Sequence, residues 1–454
     1  MGAVIKFLET YFVPIAGRFG SQRHLVAVRD GFVSITPLIL VGALAVLINS
    51  FPIDAYQHLM GAVFGGENWK SFGGNLWTGT FAVMSLLAAI STSFHLARFY
   101  KADSLAAALL TFGCLLMLYA PSAKDPGALP FTFLGAQGLF VSLFTALIAT
   151  EIFVHLAGNP RLIIKMPAGV PPAVAKSFAA LIPSMAVLAL FGFLKCILVT
   201  VGVTDLHQAI FQLIQAPISG LADQYGSALL VAFLVHILWF FGLHGTNILG
   251  PLLNAVYLPA INDNIAAFQA GQPIPHIVTI PFFDAFVWMG GAGCTIGLVA
   301  AIFIAGKRKA NRSIAKLGAA PIAFNINEPI MFGMPIVLNP IYLIPFVLTP
   351  LVLATTTYVA ISTGIVPRTI AMMPWTTPPI IGGFLVTGSV MGALLAAVNL
   401  TISILIYIPF VIMGERYEAR EEAARETAAG AGADAKSGRM RYDNNARRPS
   451  GRAL

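Results

Sequence analysis

Charged side chains are scarce in this sequence. Asp, Glu, Lys and Arg make up 10% of the 454 residues, whereas hydrophobic residues make up 57%. A soluble protein does not combine so little charge with repeated apolar runs of about 20 residues, the length that spans a bilayer as a helix. The alternating short segments of a membrane β-barrel are also missing. The mean hydropathy of +0.82 is typical of an α-helical membrane protein with many spans.

Cysteines and enzyme motifs are equally scarce. Cys114, Cys196 and Cys294 lie in apolar segments without metal or disulfide spacing, so we interpret them as inert core thiols. No second histidine or cysteine stands at ligand spacing near a histidine of the apolar segments, and we predict no metal site. Phosphate-binding, nucleophile and dinucleotide motifs are absent, which predicts no cofactor. Chemistry on a ligand would have to come from another protein or an ion gradient.

The basic residues predict the topology. The net charge of +8 arises from Lys and Arg in short loops and in the tails, as the positive-inside rule expects of cytoplasmic segments. We therefore predict that both termini are cytoplasmic and that nucleic acid is not a partner. The sequence does not begin with a short apolar region and a cleavage site, so we expect no cleaved signal peptide.

The apolar runs predict an all-α polytopic membrane protein. We place about ten transmembrane helices near residues 31–53, 76–97, 105–120, 138–156, 178–203, 227–243, 247–261, 282–305, 336–361 and 391–413. Amphipathic interfacial helices are predicted at 1–28 and 204–226. Prolines and polar residues predict a re-entrant hairpin at 318–335 and a second broken segment at 364–382.

The polar, broken segments cluster in the second half of the chain. This asymmetry predicts a scaffold half at 1–203 and a substrate-transport half at 204–414 with the re-entrant segments. After residue 414 the composition becomes charged and then rich in Gly, Ala, Ser and Arg. We expect 415–454 to be a polar cytoplasmic tail that is disordered, although 415–426 could extend the last helix.

The stretch Asn325-Ile-Asn-Glu-Pro-Ile-Met-Phe-Gly places Glu328 between Asn327 and Pro329 in apolar surroundings. A carboxylate at membrane depth is costly and predicts function. Pro329 disfavours helix at Glu328, which predicts broken backbone lining a wet cavity. We predict that Glu328, Asn325 and Asn327 bind a polar solute. A carboxylate that only holds a turn, and asparagines that cap the broken helix, are the alternatives.

A second group of candidates surrounds His244. This histidine lies between Gly242 and Gly245, and the local break favours a place in a cavity wall over a satisfied core position. Trp239 lies five residues earlier. Trp375 lies in a proline-rich stretch, where it could offer a flat face to a sugar ring, although membrane tryptophans more often form interfacial belts.

Four segments in order resemble the IIC permeases of the bacterial sugar phosphotransferase system, and most of all the lactose, cellobiose and chitobiose group. The most specific is Asn-Ile-Asn-Glu-Pro-Ile-Met-Phe-Gly-Met-Pro-Ile-Val-Leu-Asn-Pro at 325–340, and the others lie at 25–32, 164–178 and 239–251. The resemblance runs over roughly residues 5–415. It leaves the tail uncovered.

The resemblance implies a function that the composition does not. Such permeases are homodimers in the bacterial inner membrane, in which the N-terminal half dimerises and the C-terminal half carries one sugar by an elevator-like movement. A IIB protein then phosphorylates the sugar, commonly at the 6-hydroxyl, with phosphate that comes from phosphoenolpyruvate through IIA. Because no IIA or IIB domain is expected in this chain, both would be separate proteins and the phosphoryl donor would lie on IIB.

The resemblance also implies roles for particular residues. Glu328 and His244 would hold the sugar, and either could act as general base, while Trp239 and Trp375 would stack on its rings. The expected substrate is a β-linked disaccharide of the cellobiose, chitobiose or lactose type. An ion-coupled sugar symporter with Glu328 as its proton site is the alternative function.

Overall fold

The computed structural model describes residues 10, 13–49, 54–121, 128–129, 131–167, 169–334 and 336–446, and its regular elements there are helical. The helices of the N-terminal half are α1 Val13–Gly20, α2 Arg23–Asn49, α3 Asp54–Phe64, α4 Lys70–Gly79, α5 Met84–Phe99, α6 Ser104–Leu118, α7 Leu139–Ala157 and α8 Pro172–Thr200. The all-α prediction is confirmed.

The C-terminal half is more interrupted. Its helices are α9 Leu206–Ile210, α10 Ala216–Ala222, α11 Tyr225–Phe240, α12 Gly245–Gln269, α13 Ile280–Phe286, α14 Thr295–Ala305, α15 Lys309–Ala323, α16 Glu328–Gly333, α17 Pro340–Ser362, α18 Pro379–Thr387 and α19 Val390–Ala446. A π-helical turn, Phe211–Gln215, joins α9 to α10. The segment Leu206–Ala222 then meets α11 at an angle of 80°.

Six helices in the described ranges are long and apolar enough to cross a membrane, or seven if the bent pair formed by Leu206–Ala222 and α11 counts as one span. This agrees with a multi-pass membrane protein but does not confirm a total of ten. Helix α6, for example, has only 15 residues. Placement of 204–226 in the membrane surface stays a prediction.

The single span predicted at 282–305 is wrong. The structure divides it into α13, a short turn at Ala292–Cys294 and α14. Gly290, Gly291 and Gly293 between them have φ angles of 72°, 87° and 76°. Side chains are disfavoured in this left-handed region, so glycines here break the helix. The two short helices therefore form a bent unit beside the Asn-Glu-Pro segment.

The helix at the span predicted for 247–261 is longer than expected. Helix α12 covers 25 residues and contains Pro251 and Pro259, because membrane helices tolerate proline where neighbours satisfy the freed backbone groups. The tail also differs from the expectation of disorder over 415–454. Helix α19 is described through Ala446, since Ala, Glu and Arg are strong helix formers.

The carboxylate of Glu415 fixes this last helix to the start of α15. It accepts hydrogen bonds from the backbone N–H groups of Lys307 at 2.7 Å and Arg308 at 3.1 Å. An acidic side chain at a helix start satisfies donors that have no partner within the helix. Packing of α19 against the protein thus continues past the predicted end of its span at residue 413.

Buried apolar residues form three clusters. One, around Cys114 and Phe153, lies within the N-terminal half. A second, around Phe282 and Tyr407, lies within the C-terminal half. The third joins the halves, because residues of α2 such as Phe32 pack with residues of α12 and with Met372.

A histidine in the loop before α13 fixes the corner between α10 and α11. The Nδ1 and Nε2 atoms of His276 lie 3.7 Å and 3.5 Å from carboxylate oxygens of Asp223 and Asp263. Burial lowers the pKa of His276, but hydrogen bonds and charge from the two carboxylates outweigh it and raise the pKa to about 9. Asp263 also accepts a 3.5 Å hydrogen bond from Gln137 of the N-terminal half.

Candidate functional site

The site begins at a break between α15 and α16, where Asn325 holds the chain. Its φ of 62° is in the left-handed region, which asparagine tolerates better than most residues. Its Oδ1 accepts from the backbone N–H of Gly290 at 2.7 Å. Its Nδ2 donates to the carbonyl oxygens of Trp375 at 2.6 Å and Thr377 at 2.9 Å. One buried amide therefore joins three segments of the chain.

Asn327 makes a parallel contact to the same glycine-rich turn. Its Nδ2 donates to the carbonyl oxygen of Ala292 at 3.0 Å. The Cβ of an alanine at Gly291 would lie 2.7 Å from Asn327 Cγ, so glycine is required for this close approach. The structure thus gives both asparagines positioning contacts, and their contact with a ligand stays a prediction.

Glu328 stands at the start of α16. The break predicted at Glu328 itself lies just before it, and Glu328 is the first residue of the helix with Pro329 beside it. Proline is well tolerated in a first turn because its missing N–H has no partner there. The Glu328 side chain is exposed to the cavity. Within the described residues, nothing donates a hydrogen bond to its carboxylate.

His244 is positioned by the start of α12. It is the N-cap residue, and its Nδ1 accepts from the backbone N–H of Asn247 at 3.2 Å. The Thr246 hydroxyl lies 3.0 Å from the same nitrogen. We assign the proton of the neutral ring to Nε2, because Nδ1 must accept from a backbone donor. Nε2–H is then left as a donor, and the Trp239 ring lies 4.3 Å away between centroids.

All six residues singled out in the sequence line one cavity of about 470 Å³, called the central cavity below. Trp375 is 54% exposed and presents its ring openly, whereas Trp239 is 5% exposed and contributes an edge of the wall. The cavity combines a carboxylate, an imidazole donor and aromatic faces. Such a set fits an uncharged, hydroxyl-rich ligand with apolar ring faces.

Comparison with known families decides the class of protein. Residues 29–350, more than half of the chain, match the family model described as "Phosphotransferase system, EIIC". The chain belongs to this EIIC family. It is therefore a membrane permease component of a sugar phosphotransferase system, which confirms the resemblance found in the sequence.

The EIIC relatives match over nearly their whole length. The lichenan permease IIC component of Bacillus subtilis is 39% identical, over 93% of this chain and 96% of the relative. A cellobiose-specific EIIC component of Geobacillus stearothermophilus is 36% identical, over 95% and 99%. The crystal structure of ChbC, the IIC component of an N,N'-diacetylchitobiose-specific system, has 37% identity and a TM-score of 0.88, over 92% and 99%.

The EIIC cavity also contains polar residues that the sequence reading missed. Asp284, Asn254 and Trp288 line it, and the Trp288 ring stacks on Phe283 with centroids 5.1 Å apart. Asp284 is the only acidic residue between Asp263 and Glu328. The argument from the cost of a carboxylate in the membrane applies to it as it does to Glu328. It was overlooked because its segment was interpreted as a continuous span.

Proposed function

We propose that this permease binds a β-linked disaccharide of the cellobiose, chitobiose or lactose type in the central cavity. It carries the sugar inward and presents it to a separate IIB protein, which is phosphorylated through IIA from phosphoenolpyruvate. The observation that carries the proposal is the convergence of Glu328, His244, Trp239 and Trp375 on one cavity. The substrates named for the cellobiose and chitobiose relatives support the choice of sugar.

Glu328 and His244 take complementary roles in this proposal. Neutral His244 has its Nδ1 occupied by the Asn247 N–H, so Nε2–H donates to a sugar oxygen and is not free to accept a proton. Glu328 has an open carboxylate that can accept one. Of the two candidates for general base, the hydrogen bonds therefore favour Glu328.

The proposed transfer step uses Glu328 as the base. The sugar 6-hydroxyl attacks the phosphorus of a phosphocysteine on IIB, a new O–P bond forms, and the S–P bond breaks to leave a thiolate. The proton of the hydroxyl passes to Glu328. The sugar phosphate carries up to about two negative charges near neutral pH, and once Glu328 has given up the proton, repulsion from its carboxylate favours release of the product.

The movement in this proposal is an elevator-like displacement of the C-terminal half against a dimerised N-terminal half. Separate buried clusters within the two halves support such a division. The 80° bend between Leu206–Ala222 and α11 lies in the connection between them. In the proposed topology both termini face the cytoplasm, and so does the basic cluster at 307–316. The Asn-Glu-Pro segment enters from that side.

Counterflow in vesicles that contain the purified protein tests the substrate class. We expect exchange of at least one of cellobiose, chitobiose and lactose, with no exchange of a free monosaccharide at the same concentration. Sugar phosphate should form only when IIB, IIA and phosphoenolpyruvate are supplied. Absence of exchange with all three disaccharides would contradict the proposal.

Glu328→Gln tests the base role. We expect normal disaccharide binding and loss of phosphorylation in the presence of IIB, because glutamine keeps hydrogen-bonding capacity but does not take up the proton. Equal loss of binding and phosphorylation would leave Glu328 as a sugar anchor alone. Uptake driven by a pH gradient without phosphoenolpyruvate would instead favour the symporter with Glu328 as its proton site.

A further inference from the structure

A second cavity adjoins the central one. It has a volume of about 160 Å³ and lies between α2 of the N-terminal half and the C-terminal half. Four residues line both cavities, namely Asn254, Ile280, Asp284 and Trp375. Glu328, His244 and Trp239 line only the central cavity. The second cavity therefore opens from the end of the central cavity that lies away from the proposed site of phosphorylation.

Two polar side chains, Asp284 and Asn254, line the passage between the two cavities. Within the part of the chain that the structure describes, neither the Asp284 carboxylate nor the Asn254 amide has a hydrogen-bond partner. Unpaired polar groups in a protein interior cost free energy, and at membrane depth they mark paths for polar ligands. Sugar hydroxyls that cross this passage would supply donors to Asp284 and both donors and acceptors to Asn254.

The walls of the second cavity suit the face of a sugar ring. Phe32, Ile39 and Met372 are buried apolar residues, and the exposed Trp375 ring extends from the central cavity into this one. The Thr36 hydroxyl donates to the Phe32 carbonyl at 2.8 Å, so its oxygen is left as an acceptor. A space of this size holds several water molecules and has room for one pyranose ring.

We propose that the second cavity is a further sugar subsite, which takes the third ring of a β-linked oligosaccharide whose first two rings occupy the central cavity. The inference rests on the proposed function, because it extends the same substrate beyond Asp284 and Asn254. The wall formed by α2 belongs to the N-terminal half. A third ring therefore contacts both halves at once, which a disaccharide in the central cavity does not.

Leu40 and Leu38 provide a matched pair of substitutions on α2. Leu40 lines the second cavity, whereas Leu38 is 43% exposed and lines neither cavity. Leu40→Phe fills the subsite. Leu38→Phe adds the same volume to the same helix on another face. Thr36→Met fills the subsite from the preceding turn and replaces Leu40→Phe if that variant does not fold.

The measurement is binding of cellobiose and cellotriose to the full-length purified protein by calorimetry. We expect the wild type to bind cellotriose more tightly than cellobiose. Leu40→Phe should weaken cellotriose binding by about tenfold or more, the scale on which one misplaced apolar group acts in a pocket. It should leave cellobiose binding within about twofold, a small free-energy difference. Leu38→Phe should change neither.

Two outcomes separate failure of the subsite from failure of the proposed function. The first outcome is that cellobiose binds, that cellotriose binds no more tightly, and that neither Leu40→Phe nor Thr36→Met changes cellotriose binding. This result would overturn the subsite and leave the proposed function standing. If cellobiose, chitobiose, lactose and cellotriose all fail to bind, the proposed function is overturned and the subsite falls with it.

Discussion

The side-chain amide of Asn325 donates to the backbone carbonyl of Trp375 at a distance of 2.6 Å, across 50 residues of sequence. The same Nδ2 donates to Thr377, and Oδ1 accepts from Gly290. Both N–H groups of the amide are therefore engaged by backbone oxygens. Asn325 positions Glu328 and Trp375 relative to each other through its backbone contacts.

Asn325→Ala should destabilise the protein and weaken sugar binding together. The change leaves three backbone groups, in two other segments of the chain, without partners, at a cost of about 2–4 kcal/mol of unfolding free energy. Thermal unfolding and disaccharide binding are the measurements. Asn327→Ala is the comparison, because it removes one such bond and should cost about 1 kcal/mol. Unchanged unfolding of Asn325→Ala with lost binding would instead make Asn325 a direct ligand.

Gly291→Ala should abolish sugar binding. Its Cβ would stand 2.7 Å from Asn327 Cγ and 2.9 Å from the Asn325 carbonyl oxygen, so the Asn-Glu-Pro segment must move. Gly271→Ala is the control, because φ there is also positive at 64° but nothing lies within 4 Å of the new Cβ. The control should cost only about 1–2 kcal/mol of backbone strain and keep binding. Equal binding by both variants would contradict the packing argument.

Two substitutions at His244 separate its two nitrogens. Asparagine places an acceptor near the Nδ1 position and should keep the cap of α12, while losing the donor to the sugar. Glutamine reaches the Nε2 position and should keep a donor, while losing the cap at a cost of about 1 kcal/mol. We expect His244→Asn to lose sugar binding with little change in thermal stability. We expect His244→Gln to keep sugar binding and to lose thermal stability. Stability loss in His244→Asn would argue against the assigned tautomer.

Stability should fall with rising pH because of His276. Its pKa is about 9 in the folded protein, against 6.5 for an unperturbed histidine. Because the pKa is higher in the folded protein, protonated His276 stabilises the fold fully at pH values below the unfolded pKa. This contribution to the free energy of unfolding is lost as the pH rises towards 9. After allowance for partial exposure the effect should be about 1–2 kcal/mol. The free energy of unfolding, measured between pH 6 and pH 9.5, tests this prediction.

His276→Gln should flatten that pH dependence, since Asp223 and Asp263 then face no titrating partner. His58→Gln, at an exposed histidine of α3, is the control and should leave the slope unchanged. An unaltered slope in His276→Gln would place the proton uptake elsewhere.

The sequence predicted residues of the cavity wall where a polar side chain lies among apolar residues. Glu328 and His244 stood out because lipid makes such residues costly, and the structure places them in the walls of one cavity. Helices were recognisable for the same reason, since a long apolar run has few alternatives in a membrane. Asp284 was within reach of this argument as well.

Other features depend on contacts that no local pattern contains. Glycines are common in membrane helices, so nothing in the sequence distinguishes Gly291, which has a positive φ, from a glycine that only allows close packing. The partners of the Asn325 amide lie 35, 50 and 52 residues away. The local sequence pattern identified Asn325 as a candidate residue but did not identify its hydrogen-bond partners.

The bond from Asn325 to Trp375 has a consequence for biosynthesis. Asn325 leaves the ribosome 50 residues before the carbonyl that it binds. At usual synthesis rates this is a delay of about 3–10 s. During that time the Nδ2 group of Asn325 is in the membrane without its two carbonyl partners. The hairpin at 318–335 therefore reaches its final hydrogen bonding only after the chain through Thr377 has been made.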